Sequence, residues 1–267
     1  MKTHLLIEKY FTHYKLSKPV LTGSGIPGTF DAMAVDCPFV FYHNDQFYMM
    51  YVGFDGIGYQ TGLAVSNDLI HWESQGPILK RDENVGWDRV GAAGTWILKS
   101  TNSLWELPRL QKVSGKYWMV YHSYPEQGYE EGPAQIGLAW TEDENLLKWN
   151  RLSEPVFSWK DGADWENGGL YKACLIKNEG IYYLFYNAKN AKPRAWKEQI
   201  GVAKSSDLRN WERFCKNPVV KVSEGRWDSQ FCADPYVARD GERWLMFYYG
   251  YNRRHAQDGI ALSDNLP

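Results

Sequence analysis

Short apolar segments separated by polar turns recur along the chain and predict β-hairpins. The first hairpin spans residues 36–53, with its turn at Asn44-Asp45. Aromatic and β-branched residues dominate both halves, and such runs bounded by polar turn residues are typical of paired strands. Three more segments share this pattern and are predicted to form hairpins at 106–121, 171–186 and 233–248. The chain is therefore predicted to be all-β.

A second pattern follows each hairpin. Small residues precede an acidic turn and then a tryptophan, as from Gly62 to Trp72 and from Gly201 to Trp211. This order fits a third strand, a turn and a fourth strand that packs between neighbouring sheets. Equivalent tyrosines recur in the four hairpins at steps of 70, 65 and 62 residues: Tyr51, Tyr121, Tyr186 and Tyr248. Repeats of this size, holding about four short strands each, predict a β-propeller.

The propeller is predicted to occupy residues 31–267, after an N-terminal extension of residues 1–30. Four repeats are visible, and the fourth stops before the tryptophan of its outer strand. A further blade is therefore incomplete or absent. Three alternatives stay open: the chain is truncated, its N-terminal segment closes a four-bladed ring, or a homo-oligomer covers the open propeller edge.

Composition narrows the function classes. The net charge of −2 gives no electrostatic reason to expect nucleic acid or a membrane surface as a partner. The four cysteines lack C-x-x-C spacing and are predicted to be reduced thiols. Neither a signal peptide nor an uncharged apolar run of membrane-spanning length is visible, so a cytoplasmic protein is expected. The aromatic content of 16% suits both strands and the platforms on which sugar rings stack.

Acidic residues stand where the hairpins open. Innermost strands of a propeller begin near its axis at one end, so these residues are expected to converge on a central pocket. Glycoside cleavage uses paired carboxylates, one as base or nucleophile and another kept protonated as acid. The predicted catalytic residues are Asp36, Glu106, Glu166 and Asp234. A structural alternative stands beside each of them, namely hydrogen bonds to neighbouring turns or a solvated loop position.

Further residues near the hairpin openings are candidates for binding carbohydrate. Tyr171 and Lys172 open the third hairpin, where a lysine inside an apolar strand is costly unless it faces a pocket. The ends of the second strands and the loops after them supply the others: Asp55, Tyr59, His122, Tyr124, Asn187 and Lys189. Hairpin geometry leaves open whether those loops lie at the pocket end or at the opposite end. Neither a metal nor a cofactor is predicted, because buried cysteines such as Cys174 are common packing material.

The repeats resemble the five-bladed β-propeller furanosidase superfamily, which includes glycoside hydrolase families 43, 32, 62, 68 and 117. The likeness covers roughly residues 30 to 267 and rests on the Asp-x-Pro opening, the aromatic second strands and the Ser-x-Asp-Leu-x-x-Trp ends. It implies that Asp36 is the general base or nucleophile and that Glu106 is the blade-two carboxylate. The family's blade-three acid falls on Tyr171 or Lys172, so Glu166 takes that role only if the strand start is shifted.

The leading hypothesis is a glycoside hydrolase that acts without a cofactor on an arabinose-, fructose- or xylose-containing glycoside or oligosaccharide. Two rivals stay open. One is a glycoside phosphorylase resembling family 130, in which phosphate replaces water, and the other is a non-catalytic carbohydrate-binding propeller. The sugar, the linkage and the choice between retention and inversion are left open at this stage.

Overall fold

The computed structural model describes residue 10 and residues 14–82, 86–192 and 195–267. Within these residues the secondary structure consists of β-strands and one 3₁₀ turn at Trp159–Asp161. The strands form consecutive antiparallel units around a common axis, so the predicted all-β propeller is confirmed. No helix in this part of the chain has the length and hydropathy needed to cross a membrane.

The first two blades each contain four antiparallel strands in sequence order. Blade one consists of β1 (Ala34–His43), β2 (Gln46–Phe54), β3 (Tyr59–Ser66) and β4 (Glu73–Leu79). Blade two consists of β5 (Ala93–Ile97), β6 (Tyr117–Ser123), β7 (Gln135–Thr141) and β8 (Asn150–Arg151). In both blades the innermost strand is the first, as the propeller prediction requires.

The third and fourth blades are joined edge to edge. Blade three consists of β9 (Gly169–Asn178), β10 (Ile181–Lys189), β11 (Glu198–Ser205) and β12 (Glu212–Arg213). Blade four consists of β13 (Phe231–Asp240), β14 (Arg243–Tyr251) and β15 (Ala256–Ser263). One parallel contact, between Glu198 and Phe231, links the two sheets at the end where β11 and β13 begin. A fifth blade is not among the described residues.

The predicted start of blade two was wrong. Its innermost strand is β5, whereas Glu106 lies in an exposed bend between β5 and β6. The segment around Glu106 resembles a strand opening because apolar residues flank its proline, but its backbone pairs with other blades. The amide of Tyr42 donates to the Pro108 carbonyl at 3.0 Å, at the end of β1 that is remote from Asp36.

The same segment ties the remaining blades together at that remote end. Leu104 donates its amide to the Arg239 carbonyl at 2.8 Å, and Arg239 donates back to Asn102 at 2.7 Å. The Asn102 side chain donates to the Lys177 carbonyl at 2.8 Å. These contacts reach the final residues of β13 and β9, so the β5–β6 connection links blade two to blades three and four as well as to blade one.

An aromatic residue followed by a buried acid precedes every blade. The aromatic ring packs on the tyrosine of the second strand, with centroid distances of 5.5 to 6.0 Å. The four pairs are Phe30-Asp31, Trp87-Asp88, Trp165-Glu166 and Trp227-Asp228. A glycine in the third strand leaves room for the stack. A Cβ on Gly201, for example, would lie 2.6 Å from the Tyr186 ring.

The N-terminal extension contacts two blades. Tyr10 packs edge-on against Phe247 of blade four, with ring centroids 6.0 Å apart, and donates a hydrogen bond to Asp240. Leu21 packs against the Phe30 and Tyr51 cluster of blade one. These two contacts favour the alternative in which the N-terminal segment spans from the fourth blade to the first. Residues 1–9 and 11–13 lie outside the described residues.

Candidate active site at the propeller axis

A β-bulge occurs at the same point of three innermost strands. In each strand, two residues face the repeated tyrosine of the second strand, and the first of the two has a left-handed backbone. These first residues are Cys37, Lys172 and Asp234, with φ of 50°, 45° and 56°. Bulges re-aim side chains at functional sites. The equivalent of Lys172 and Asp234 in blade one is therefore Cys37, and Asp36 stands one residue before it.

Lys172 lies between two carboxylates at the axis. Its Nζ is 3.5 Å from Asp36 Oδ2 and 3.3 Å from Asp234 Oδ2. Asp36 also accepts the Cys37 amide at 2.7 Å. Burial alone would lower the pKa of Lys172, but Asp234, the Cys37 thiol, Asp36 and Glu130 together raise it above its ordinary value. Lys172 is therefore a permanent cation in the site.

The Asp234 carboxyl has a raised pKa. Its position at the axis withdraws it from bulk water, which raises the pKa, and the Lys172 ammonium only partly offsets that effect. The Asp36 and Asp234 side chains keep 49% and 41% of their surface exposed, so both still face open space. The two carboxylates are thus accessible to a ligand.

A cavity of about 230 Å³ lies beside this ion triad. Its apolar wall is formed by Phe39, Trp96 and Tyr236, whose rings are 4.7 and 4.9 Å apart in successive pairs. The volume is smaller than the about 300 to 1,000 Å³ typical of sites for drug-sized ligands. A cavity of this size, with aromatic faces on one side and carboxylates on the other, suits a single sugar ring.

The loops that follow the second strands lie at the same end as this cavity. Ala34 pairs with Phe54 and Phe54 pairs with Tyr59, so β2 ends where β1 begins. The same antiparallel register holds in blade three, where Gly169 pairs with Lys189. The alternative that these loops lie at the far end of the propeller is therefore wrong.

Glu130 lies in the loop between β6 and β7, and its pKa is raised. Burial is the main cause, and Lys172 opposes it. Tyr129, the preceding residue, packs on Phe54 and Tyr59 of blade one at 5.9 and 6.1 Å. The loop thus reaches across to blade one and brings the Glu130 carboxyl into the electrostatic field of Lys172.

Glu198 opens β11 and is 9% exposed. Its carboxylate accepts hydrogen bonds from Asn187 Nδ2 and Trp196 Nε1, both at 3.1 Å. The two donors fix the orientation of the carboxylate. Glu198 also contributes to the raised pKa values of Glu130 and Asp234, after burial in both cases, which places all three acids in one cluster.

Tyrosines surround this acidic cluster. Lys189 Nζ lies 5.7 Å from the ring centroids of both Tyr124 and Tyr171. Burial raises the pKa of each phenol, so both stay neutral. The Tyr124 hydroxyl and Asn187 Oδ1 are buried and have no hydrogen-bond partner within the part of the chain that the structure describes. Both are donor or acceptor groups beside the predicted sugar site.

Two of the predicted binding residues have other roles. Asp55 is paired with Arg81 and also accepts the amides of Ile57 and Gly58, so its carboxylate shapes the β2–β3 loop. Tyr59 is 7% exposed and packs against Phe54 and Tyr124. Tyr59 therefore belongs to the wall behind the site.

Glu166 and Glu106 do not join the acidic cluster. Glu166 is 1% exposed and accepts Arg213 Nε at 3.0 and 3.2 Å through its two oxygens. It is the blade-three member of the aromatic-acid pairs, equivalent to Asp88, which accepts the Tyr121 hydroxyl at 2.8 Å. Glu106 lies with the segment that pairs with the far end of β1. A buried ion pair and an exposed bend explain these two residues.

Sequence reasoning missed Glu198 as a site residue and did not single out Glu130. The signal for Glu198 was present, since it directly precedes the Gln199-Ile200-Gly201 pattern of the third strand, which begins at the pocket end. For Glu130 the sequence shows only an acidic loop.

The described residues contain no group of three or more His, Cys, Asp or Glu side chains arranged to hold a metal ion. The four cysteines are free thiols. Burial raises the pKa of the Cys37 thiol well above its ordinary value, with Lys172 opposing it. Cys37 is therefore a neutral thiol at the edge of the site.

Comparison with solved structures finds the same propeller in glycoside hydrolases. A structure described as a complex of BT0996 with RGII superposes with a TM-score of 0.84 at 27% identity, covering 98% of this chain and 78% of that protein. A second, described as "Glycoside hydrolase", gives 0.83 at 26% with the same coverage. A thermostable family-43 glycoside hydrolase gives 0.62 at 18% over 92% of this chain and 72% of that protein, which shows the fold alone.

Curated relatives include characterised and uncharacterised proteins. An uncharacterized protein of Mycobacterium tuberculosis is 23% identical over 93% of this chain and 77% of its own length. A 1,2-beta-oligomannan phosphorylase of Thermoanaerobacter is 29% identical over 45% of this chain, and the match spans 43% of that enzyme. The model of the N-terminal domain of glycosyl hydrolases family 32 matches residues 106–264, more than half of the chain. The chain therefore belongs to the glycosyl hydrolase family 32 N-terminal domain family.

Proposed function

We propose that this chain is a glycoside hydrolase that cleaves an arabinose-, fructose- or xylose-containing glycoside at the propeller axis. The observation that carries the proposal is the convergence of four carboxylates on one lysine: Asp36, Glu130, Glu198 and Asp234 around Lys172. Burying this much like charge is unfavourable for a purely structural site, and clusters of perturbed acids are typical of catalytic sites.

Two of the acids suit the two roles that glycoside cleavage requires. Glu130 has a raised pKa and lies on a loop at the mouth of the site, which suits the acid that protonates the leaving oxygen. Asp36 is held by Lys172 and by the Cys37 amide, yet is half exposed to the cavity, which suits the base or nucleophile. Asp234 and Glu198 then bind sugar hydroxyls, together with Lys189.

The choice between retention and inversion depends on which acids form the working pair. Asp36 Oδ2 and Asp234 Oδ2 both lie within 3.5 Å of Lys172 Nζ. They are therefore less than about 7 Å apart, a limit that includes both the about 5 to 5.5 Å of retaining pairs and the lower end of the inverting range. Product stereochemistry measured by NMR decides between the two outcomes.

A glycoside phosphorylase is the second candidate, because two phosphorylases of Thermoanaerobacter are among the relatives. That reaction needs a basic pocket for phosphate. Here four carboxylates outnumber the two lysines, Lys172 and Lys189, and Lys172 is already shared between two acids. The resulting field repels an anion, which favours water as the acceptor.

The test is turnover of aryl furanosides and pyranosides, with and without phosphate, by the unaltered chain and four variants. The variants are Asp36→Asn, Glu130→Gln, Glu198→Gln and Asp234→Asn. We expect phosphate-independent turnover that Asp36→Asn abolishes, and we expect Glu130→Gln to be least harmful with good leaving groups. Strict dependence on phosphate supports the phosphorylase. Sugar binding that survives Asp36→Asn, with no turnover by any form, indicates a binding propeller and overturns the proposal.

A further inference from the structure

The next-to-last residue of β6 is a buried histidine directly behind Lys172. His122 is 3% exposed, and its Nδ1 accepts a hydrogen bond from the Lys172 backbone amide at 3.3 Å. Its ring packs against Tyr124 at 5.5 Å and Tyr171 at 6.1 Å. The imidazole therefore joins the backbone of blade three to the second strand of blade two.

The Lys172 amide belongs to a residue in an unusual backbone conformation. Its φ of 45° lies in the left-handed region, which residues other than glycine adopt rarely and at a cost of about 1 kcal/mol or more. Such a conformation persists when surrounding groups hold it. In blade one, the equivalent amide is that of Cys37, which donates to the Asp36 carboxylate at 2.7 Å. In blade three, the imidazole of His122 replaces that carboxylate as the acceptor.

A histidine can fill this place only in one form. Nδ1 must carry no proton in order to accept, so the neutral ring carries its proton on Nε2. Burial, with a smaller contribution from the Lys172 charge, lowers the pKa of His122 to about 3. The ring is therefore a neutral acceptor throughout the pH range in which a glycosidase of this kind works.

We infer that His122 is a positioning residue, which holds the Lys172 amide and thereby aims the Lys172 ammonium between Asp36 and Asp234. This inference rests on the proposed function for its effect on turnover, but the hydrogen bond can be tested without it. It also replaces the expectation that His122 contacts the sugar, because the nitrogen that would do so is occupied by the protein backbone.

The first measurement is the tautomer of His122, read from the nitrogen-15 shifts of the ring in the unaltered chain, assigned by comparison with His122→Asn. We expect the form protonated on Nε2 alone, unchanged from pH 7 to pH 5. A proton on Nδ1, or an imidazolium within that range, overturns the inference, because neither can accept the Lys172 amide. This result is independent of whether any substrate is turned over.

The second measurement is steady-state kinetics of His122→Leu and His122→Asn on the best substrate. Leucine fills the space without an acceptor, so kcat should fall about tenfold or more through the misplaced ammonium, with KM changed far less. Asparagine keeps a short acceptor and should recover most of the loss. His43→Leu is the matched control, because His43 is also buried and hydrogen-bonded, to the Glu144 carbonyl at 2.7 Å, but lies at the other end of β1.

The control separates the outcomes. If His122→Leu and His43→Leu lower Tm alike and leave kcat alike, His122 is merely structural and the inference fails while the proposed function stands. If the unaltered chain turns over no glycoside, the proposed function fails, and the tautomer alone decides the inference.

Discussion

Replacing Glu166 with glutamine should destabilise the fold and leave the chemistry intact. Glu166 is 1% exposed, and its two oxygens accept Arg213 Nε at 3.0 and 3.2 Å and the Ala163 amide at 3.2 Å. Glutamine keeps the shape but removes the charge that balances the guanidinium. The variant therefore leaves a cation in a largely enclosed place without its counter-ion.

The size of the effect follows from the surroundings of Arg213. Removing one partner of a buried ion pair costs about 3 to 5 kcal/mol. Arg213 remains 23% exposed and also donates to the Ser158 carbonyl at 2.6 Å, so we expect the lower end, about 3 kcal/mol. For a chain of this size that corresponds to a fall in Tm of about 6 to 12 °C. Adding Arg213→Met should cost much less than the sum of the two single changes, because the pair is lost only once.

Thermal unfolding and kinetics below the transition give the two readouts, and Glu130→Gln is the matched control. It makes the same chemical change in an acid that we place in the active site. We expect Glu166→Gln to lose Tm and keep kcat, and Glu130→Gln to lose kcat and keep most of its Tm. A Glu166→Gln variant that keeps its Tm but is inactive would refute the structural role and restore Glu166 as a catalytic candidate.

Three further expectations follow from burial and packing. Glu106→Ala should leave kcat/KM unchanged and the free energy of unfolding within about 0.5 kcal/mol, since the residue is exposed in a bend; a loss of activity would contradict its placement. Gly201→Ala should cost about 1 to 3 kcal/mol in urea unfolding, because its Cβ would meet the Tyr186 ring at 2.6 Å and Trp165 at 2.8 Å. The low pKa of His122, about 3, means that the unfolded chain binds a proton there which the folded chain does not. Stability should therefore fall by about 2 kcal/mol from pH 7 to pH 5, and His122→Asn should flatten that slope, as measured by urea unfolding at each pH.

The propeller and the central ion triad were predictable from sequence. Aromatic hairpins repeat at similar steps, and the innermost strands of a propeller meet at its axis. Asp36, Lys172 and Asp234 therefore had to approach one another, and the structure brings them within hydrogen-bonding or ion-pair distance. The same reasoning could not place Glu130, because the conformation of an eleven-residue loop such as 124–134 depends on what it contacts in blade one.

Blade two was misassigned because its true first strand has a weak pattern. Its innermost strand contains Gly94 and Thr95, whereas the segment from Glu106 to Leu110 imitates the Asp-x-Pro opening. The tryptophan-acid pair would have corrected the alignment. Asp88 precedes the first residue of β5 by five positions, which is also the spacing between Glu166 and Tyr171.

Repetition itself separates the structural acids from the chemical ones. The acid that follows the stacked aromatic residue is present and buried before all four blades, so no single one of these acids can be assigned to a reaction that occurs once per propeller. At the bulge, by contrast, the same position holds Cys37, Gly94, Lys172 and Asp234 in the four blades. Identical backbones with different side chains are what an asymmetric substrate requires of a symmetric scaffold. For this reason the positions at which the blades differ, rather than those at which they agree, are where mutations should separate catalysis from stability.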